Sequence, residues 1–360
     1  MKKRVGIIFG GRSAEHEVSL QLAMSIIANI DNEKYEVVPI GITKTGQWAL
    51  VPGPQNLIDT EQPKPLEVND DNDKPGVLVR GQAATLTEAV DPLKVLSSVD
   101  VVFPVLHGPY GEDGTIQGML KVANIPFVGP SVLGSAVAMD KDVMKRLFKA
   151  SGVPTPKLLV FHKADEDSIQ FSKISAELGT LVFVKPANLG SSVGVSKVTN
   201  EEQLKRAVDE AFKYDTKILI EEGIDGREIE CSVLGNENPI ASVPGEIVVH
   251  ADFYSYDAKY LNETSSSLII PAELSPELTK KVQDLSIAAF EALCCEGMAR
   301  VDFFLRGKEL LVNEVNTIPG FTKISMYPKL WEASGMPYSE LIDRLIELAI
   351  ARFEQDIFKV

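Results

Sequence analysis

The run Val5-Gly6-Ile7-Ile8-Phe9, closed by Gly10-Gly11 and followed by apolar residues at a helical spacing, constrains this chain more than any other stretch. A short continuous apolar run reads as a strand buried on both faces, the habit of parallel sheets. Val18, Leu22, Ile26 and Ile30 then recur every four residues and form the inner stripe of a helix. Glu36 to Ile42 predicts a second strand, and Val99 to Leu106 a third that ends at His107-Gly108. That order points to a parallel sheet covered by helices. Residues 52–98 are rich in Pro, Asp and Asn without a period and are expected to be an irregular excursion.

Further on, the pattern becomes α+β. A helix from about Asp140 to Ala150 stops at Gly152, with Pro154 and Pro156 marking a seam. Strands are expected at Leu158–Phe161, Leu181–Lys185, Val193–Val198 and Lys217–Glu222, with a capping box at Thr199-Asn200-Glu201-Glu202 opening a helix to about Tyr214. Ser275-Pro276 starts another helix that Gly297 ends. Met298–Arg306 and Leu310–Asn316 read as strands around Gly307-Lys308-Glu309, and a last amphipathic helix spans about Tyr338 to Phe353.

The chain has 360 residues, 44% of them hydrophobic, enough for two or three packed units. Its formal charge of -15 repels polyphosphate at long range and argues against nucleic acid or anionic membranes as partners. A phosphate site must therefore be a local cluster of cations in a cleft. Cys231, Cys294 and Cys295 suggest neither a disulfide framework nor zinc, and are expected to be idle thiols in a reducing cytosol. Met1-Lys2-Lys3-Arg4 precedes too short an apolar run for a signal peptide, and no run approaches the ~20 residues of a membrane helix, so a cytoplasmic protein is expected.

Six constellations can carry chemistry. In the hairpin Arg300-Val301-Asp302 and Glu314-Val315-Asn316, residues two apart share a face. A three-residue loop at 307–309 places Asp302 opposite Glu314 and Arg300 opposite Asn316. Facing carboxylates with an Asn oxygen suit Mg²⁺, while a solvated face with Arg300 paired to Asp302 is an equal reading. Lys185-Pro186 with Gly190-Ser191-Ser192-Val193-Gly194 offers a cation and a loop that can fold over phosphate; it is no Walker motif, and taken alone a flexible hairpin turn is the better reading. Ile218 to Ile224, then Glu228, offers a strand end for adenine and a carboxylate for ribose, or merely an acidic strand end. Gly10-Gly11-Arg12-Ser13-Ala14-Glu15 places an acid in a first helical turn, suited to an ammonium or simply to the helix dipole. His107-Gly108, with Gly111-Glu112-Asp113-Gly114, lies at the strand edge where ligands gather in open parallel sheets, although a lone histidine is more often a satisfied structural one. Tyr254 to Tyr260 reads as a lid or an ordinary surface loop.

Taken in order, these motifs, with Met139-Asp140-Lys141, Lys259-Tyr260 and Asn313 to Gly320, resemble the ATP-grasp superfamily and within it the D-alanine–D-alanine ligases, over nearly the whole chain. The resemblance implies an N-terminal parallel-sheet α/β domain (1–129) and two α+β subdomains that clamp ATP, a lid unit (130–222) and a metal-binding catalytic unit (223–360). It implies that Lys141 and Lys185 contact the ATP phosphates, with Ser191 and Ser192 in the covering loop. Backbone at Glu221, Glu222 and Ile224 would hold adenine, Glu228 the ribose, and Lys259 would reach the γ-phosphate. Asp302, Glu314 and Asn316 would hold two Mg²⁺ or Mn²⁺ ions.

For the reacting groups the resemblance implies Glu15 on the first D-alanine's ammonium with His107 nearby, and Ser191 and Tyr260 joining Glu15 to fix the lid. Arg300 and the Gly320 N–H would stabilise the oxyanion, and Ser325 would bind the second carboxylate. The activity implied is ATP-dependent formation of D-alanyl-D-alanine through an acyl phosphate, by a homodimer, for peptidoglycan synthesis. Glu222-Gly223 departs from the Lys-Trp type of pair of some members, which leaves adenine to backbone contacts. A depsipeptide ligase making D-alanyl-D-lactate is opposed by Tyr260, and a non-catalytic nucleotide sensor by the full set Lys185, Arg300, Asp302, Glu314 and Asn316.

Overall fold

The computed structural model describes residues 1–13, 15–50, 66–69, 76–79, 91–249 and 266–357. The expected lid from Tyr254 to Tyr260, with Lys259, lies outside them.

The N-terminal part is the parallel-sheet layer the apolar runs predict. β1 (Lys3–Gly10) lies centrally, parallel to β2 (Tyr35–Ile42) and β6 (Val101–Pro104); β3 (Trp48–Leu50) adds an antiparallel edge. Helix α1 (His16–Asn29) packs on β1 through Leu20, Leu22, Ala23, Ile26 and Ile27, a wider stripe than the four-residue period indicates. In the expected excursion, β4 (Leu66–Asn69) pairs with β5 (Gly76–Val79), and α2 (Pro92–Leu96) is capped by Asp91, whose side chain accepts from Leu93 N–H. Aspartate at the cap with proline in the first turn is a strong start, so 91–96 is a helix rather than a coil. Helices α3 (Thr115–Val122), α4 (Val132–Met139) and α5 (Lys141–Ala150) follow. Asp140 caps α5, accepting from the N–H groups of Asp142 and Val143.

The central unit is an antiparallel sheet in the order β7 (Leu158–His162), β10 (Lys217–Glu222), β8 (Val182–Pro186), β9 (Ser196–Val198), covered by α6 (Phe171–Leu178) and α7 (Glu201–Ala211). The cap of α7 sits one residue later than the expected box. Asn200, the stronger cap, accepts from Gln203 N–H at 3.0 Å, while the Gln203 side chain accepts from Thr199 N–H at 2.8 Å. The expected strand from Val193 shortens to Ser196–Val198, because Ser191, Ser192 and Gly194 take left-handed backbone angles that end pairing.

The C-terminal sheet runs β14 (Ser266–Ile269), β13 (Gly245–Val249), β11 (Arg227–Gly235), β15 (Gly297–Arg306), β16 (Glu309–Asn316), with β12 (Ile240–Ala241) on β11. Its helices are α8 (Pro276–Ala292), α9 (Met326–Ala333) and α10 (Tyr338–Ile357). Ser275 caps α8 as expected. That helix ends earlier than Gly297, since Cys294 already takes φ +52.

The hairpin corrects its own derivation. Arg300 faces Asn316 and Asp302 faces Glu314, as expected, but the loop is the two residues Gly307-Lys308, with Arg306 facing Glu309. Left alone, that turn shifts the register by one and puts Glu314 on the wrong face. A bulge between Asp302 and Phe303, which leaves Asn313 without a cross-strand partner, shifts it back.

Two cores tie the parts together. Tyr327, Trp331, Leu341, Ile342, Leu345 and Ile346 of α9 and α10 share one buried cluster with Val5, Ile7, Leu22, Ile26 and Phe103 of the N-terminal layer. Buried Arg352 closes this seam: its guanidinium donates to Gly129 O at 2.6 Å and Phe127 O at 2.7 Å, and stacks 4.8 Å from the Phe127 ring. A second cluster packs α8 on β11, β15 and β16.

Candidate active site

Glycines shape the N-terminal wall. Gly10 and Gly11, at φ +89 and +92, turn the chain from β1 into α1. A side chain on Gly10 would meet Ile42 O at 2.3 Å, so only glycine allows this turn. The turn delivers Glu15, at the N-cap of α1 and nine-tenths buried, to the C-terminal edge of the sheet. There its carboxylate accepts a short hydrogen bond from the Ser191 hydroxyl. Ser191 and Ser192 hold φ +51 and +60, which serines seldom adopt, so the loop is bent toward Glu15 against its own preference. His107 is buried beside them, and burial, only partly countered by Glu15, lowers its pKa and favours the neutral ring.

Glu112 was legible only as part of a motif, yet it joins two halves of the cleft. One oxygen accepts from Gly108 N–H at 2.7 Å, the other from Ile318 N–H at 3.3 Å. Burial, then repulsion from Glu15, pushes this carboxyl up to about 8. Beyond Ile318, Ser325 folds back over Gly320: a Cβ there would lie 3.1 Å from Ser325 Oγ, which accepts from Thr322 N–H at 3.0 Å.

Lys141, Lys145 and Lys185 gather on the opposite wall, each beside a carboxylate. Lys141, first residue of α5, donates to Leu189 O at 2.6 Å and lies 3.6 Å from Glu314. Its helix is moored by Lys217, which donates to Asp140 at 2.6 Å and to Asp142 at 3.1 Å. Lys185 does not stand free at the end of β8; it pairs with the buried Glu221 carboxylate, which also holds Lys145 at 2.5 Å. Sequence reasoning missed Lys145, although it stands one turn beyond Lys141 on the same face of α5. Burial opposes the Glu221 charge, but the two ammoniums outweigh it and hold its pKa down at about 2. Lys145 is brought down to about 8 by burial and the like-charged Lys185, in spite of Glu221. Glu221 and Glu222 end β10, Gly223 and Ile224 begin its link to β11, and Glu222 accepts from Lys157 N–H at 2.8 Å. Glu228 follows on β11, opposite Ile247 and Phe304.

Across β11, β15 and β16, Glu230, Asp302 and Glu314 form a row on one face. Arg300 grips Asp302 through two hydrogen bonds of 2.8 Å and lies 2.9 Å from Glu230; Asn316 donates to Asp302 at 2.9 Å. Burial works against the Arg300 charge, but Asp302 and Glu230 prevail and keep its pKa well above the usual value. Among the described residues no three His, Cys, Asp or Glu side chains form a metal cage of their own. Asp302, Glu314 and Asn316 nevertheless fit a hard cation that keeps waters and takes other ligands from phosphate: they are oxygen donors on one rigid, partly shielded face, beside Lys141. The structure shows the Arg300–Asp302 pair of the second reading, on a face that is partly shielded rather than fully solvated.

Residues from all three parts thus converge on one cleft: Glu15 and His107 from the first, Lys141, Lys185 and Ser191 around the second, Arg300, Asp302, Glu314 and Asn316 from the third. The model for the D-ala D-ala ligase N-terminus matches residues 4–130, and that for the D-ala D-ala ligase C-terminus residues 147–347. A D-alanine–D-alanine ligase of Oceanobacillus iheyensis is 54% identical over 357 residues, 99% of this chain and 97% of its own. The solved ligase of Coxiella burnetii superposes with a TM-score of 0.80 at 38% identity, covering 99% of this chain and 96% of that one. The Bacillus anthracis ligase complexed with ATP superposes at 0.74 with 29% identity, covering 98% and 99%.

Proposed function

We propose a role for each residue of the cleft from the premise that this chain belongs to the D-alanine–D-alanine ligase family. It ligates two D-alanines to D-alanyl-D-alanine with ATP, through an acyl phosphate, for peptidoglycan precursor synthesis. What carries the assignment of roles is the contact between Ser191 and Glu15, which lays the phosphate-covering loop on the first-substrate wall.

Lys141 and Lys185 take the ATP phosphates, and Lys185 exchanges Glu221 for them. Backbone at Glu221, Glu222 and Ile224 holds adenine, Glu228 the ribose hydroxyls, Ser192 a phosphate edge, and Lys259 the γ-phosphate. Asp302, Glu314 and Asn316 would hold two Mg²⁺ or Mn²⁺ ions, which would supply positive charge to offset that of the phosphates. Glu15 holds the ammonium of the first D-alanine, and the neutral His107 lies beside it without adding charge. That substrate's carboxylate, a poor acyl donor, attacks the γ-phosphorus; the bond to the β–γ bridging oxygen breaks, ADP leaves, and the carboxylate becomes an acyl phosphate.

Ser325 orients the second D-alanine by its carboxylate, and the free amine attacks the carbonyl carbon. Arg300 and the Gly320 N–H, already fixed, receive the oxyanion; one such donor contributes about 3–4 kcal/mol. Phosphate then leaves and the peptide bond is complete. Acyl phosphates hydrolyse, so Ser191 and Tyr260 close over Glu15 to exclude water. We read the units 1–129, 130–222 and 223–360 as substrate, lid and catalytic parts, and the protein as a cytoplasmic homodimer. No helix among the described residues is long and apolar enough to cross a membrane.

The test is phosphate release from ATP with and without D-alanine, in the parent and in Glu314→Ala. D-alanine-dependent release that Glu314→Ala abolishes is expected. Full activity of the variant at saturating Mg²⁺ removes the metal assignment, and release indifferent to D-alanine removes the substrate assignment.

A further inference from the structure

On the reading of Arg300 as oxyanion donor and Asp302 as metal ligand, the same guanidinium and the same cation compete for one carboxylate. In the structure both Asp302 oxygens are engaged by Arg300, at 2.8 Å each. When Asp302 turns to a divalent ion, Arg300 loses this clamp and gains a repelling charge beside it. A long side chain released in this way no longer presents a preformed donor, and preformation is what makes such a donor effective.

The sheet supplies a second clamp. Glu230 faces Asp302 across the β11–β15 ladder, on the same side of the sheet, and its side chain is only 8% exposed. It lies 2.9 Å from Arg300 Nε. The strand pairing fixes it there whatever Asp302 does. We propose that Glu230 is the positioning residue of this ligase that keeps the Arg300 guanidinium on the reaction centre while Asp302 is engaged by metal. Glu230 acts through Arg300 and does not ligate the ion. The signal for it was present in the sequence: Glu228, Glu230 and Ser232 alternate along one face of β11.

The experiment uses the full chain with Glu230→Gln, which keeps the side chain's shape and removes its charge. Glu230→Ala is the larger deletion; should it not fold, the Gln variant decides alone. Three readouts are taken: steady-state kinetics, affinity for a phosphinate dipeptide analogue whose tetrahedral centre imitates the oxyanion, and Mn²⁺ binding with ADP by paramagnetic resonance. The expected result is a fall of about 10–100-fold in kcat and in analogue affinity, the range for loss of a supporting residue, with KM for ATP and Mn²⁺ affinity unchanged. In an Arg300→Met background, Glu230→Gln should add no further loss. Unchanged kcat and analogue affinity overturn the proposal. So does a parallel fall in Mn²⁺ affinity, which makes Glu230 a ligand, and so does an effect that persists without Arg300. If Arg300→Met alone leaves analogue binding intact, the oxyanion role has failed first and the proposal falls with it.

Discussion

Replacing Glu221 by Gln should destabilise this protein more than almost any other isosteric change. The side chain is 3% exposed and wedged between Lys145 and Lys185. A carboxylate held at about 2 instead of 4.5 is stabilised by about 3 kcal/mol. Removing one partner of a buried ion pair typically costs about 3–5 kcal/mol, so the two routes agree. For a cooperative unit of about 150–250 residues, that lowers Tm by about 6–20 °C. The contribution has a defined pH window. A depressed carboxyl pKa stabilises fully above 4.5 and fades as the pH falls toward about 2. Thermal unfolding of parent and Glu221→Gln should therefore differ most near neutrality and converge on acidification. ATP with Mg²⁺ should narrow the neutral gap, because the phosphates give Lys185 another partner. A Gln variant within about 1 kcal/mol of the parent at pH 7, or a gap that does not close in acid, refutes the reasoning.

Three further outcomes follow from the cleft. Glu112 is raised from 4.5 to about 8, so the stability it contributes is complete below 4.5 and is lost as the pH rises toward 8. Glu112→Gln should flatten the dependence of Tm on pH across that window; an unaltered slope counts against it. Gly111→Ala places a Cβ 2.4 Å from Leu106 O, and should disturb the His107 loop enough to lower kcat/KM for D-alanine at least about tenfold while ATP still binds, as titration would show. Ser191→Ala removes the hydroxyl that reaches Glu15, and should lower kcat/KM for D-alanine by about tenfold, the worth of one charge-assisted hydrogen bond; unchanged kinetics would detach the loop from the substrate wall.

The parallel layer was legible because β1 is one continuous apolar run and α1 carries a helical stripe, and the carboxylate row because alternation within each strand puts Arg300 with Asp302, and Glu314 with Asn316, on shared faces. The hairpin shows the limit of such reasoning. A guessed loop of the wrong length gave the right pairing, since the compensating bulge at Asn313 leaves no mark in local propensity. Lys145 and Glu230 escaped, and Glu112 was read only as part of a motif, for another reason. Each is a charged residue whose meaning depends on partners far along the chain: Glu221 for the first, Ile318 for the second, Arg300 for the third. Helical and strand spacing put Lys145 on the face of Lys141 and Glu230 on that of Glu228, but do not name those distant partners. Conversely, Lys185 and Glu221 were each picked out for a nucleotide contact, and only the folded chain shows that they meet one another.

The seam between α10 and the first sheet bears on how this molecule is made. Leu341, Ile342, Leu345 and Ile346 complete the apolar layer that Val5, Ile7 and Ile26 begin, and Arg352 caps backbone carbonyls at Phe127 and Gly129. A ribosome adding about 5–20 residues per second needs about 10–40 seconds to travel from residue 130 to that helix. Throughout the interval the newborn amino-terminal layer waits with an oily flank uncovered, and its closure is among the last events of synthesis.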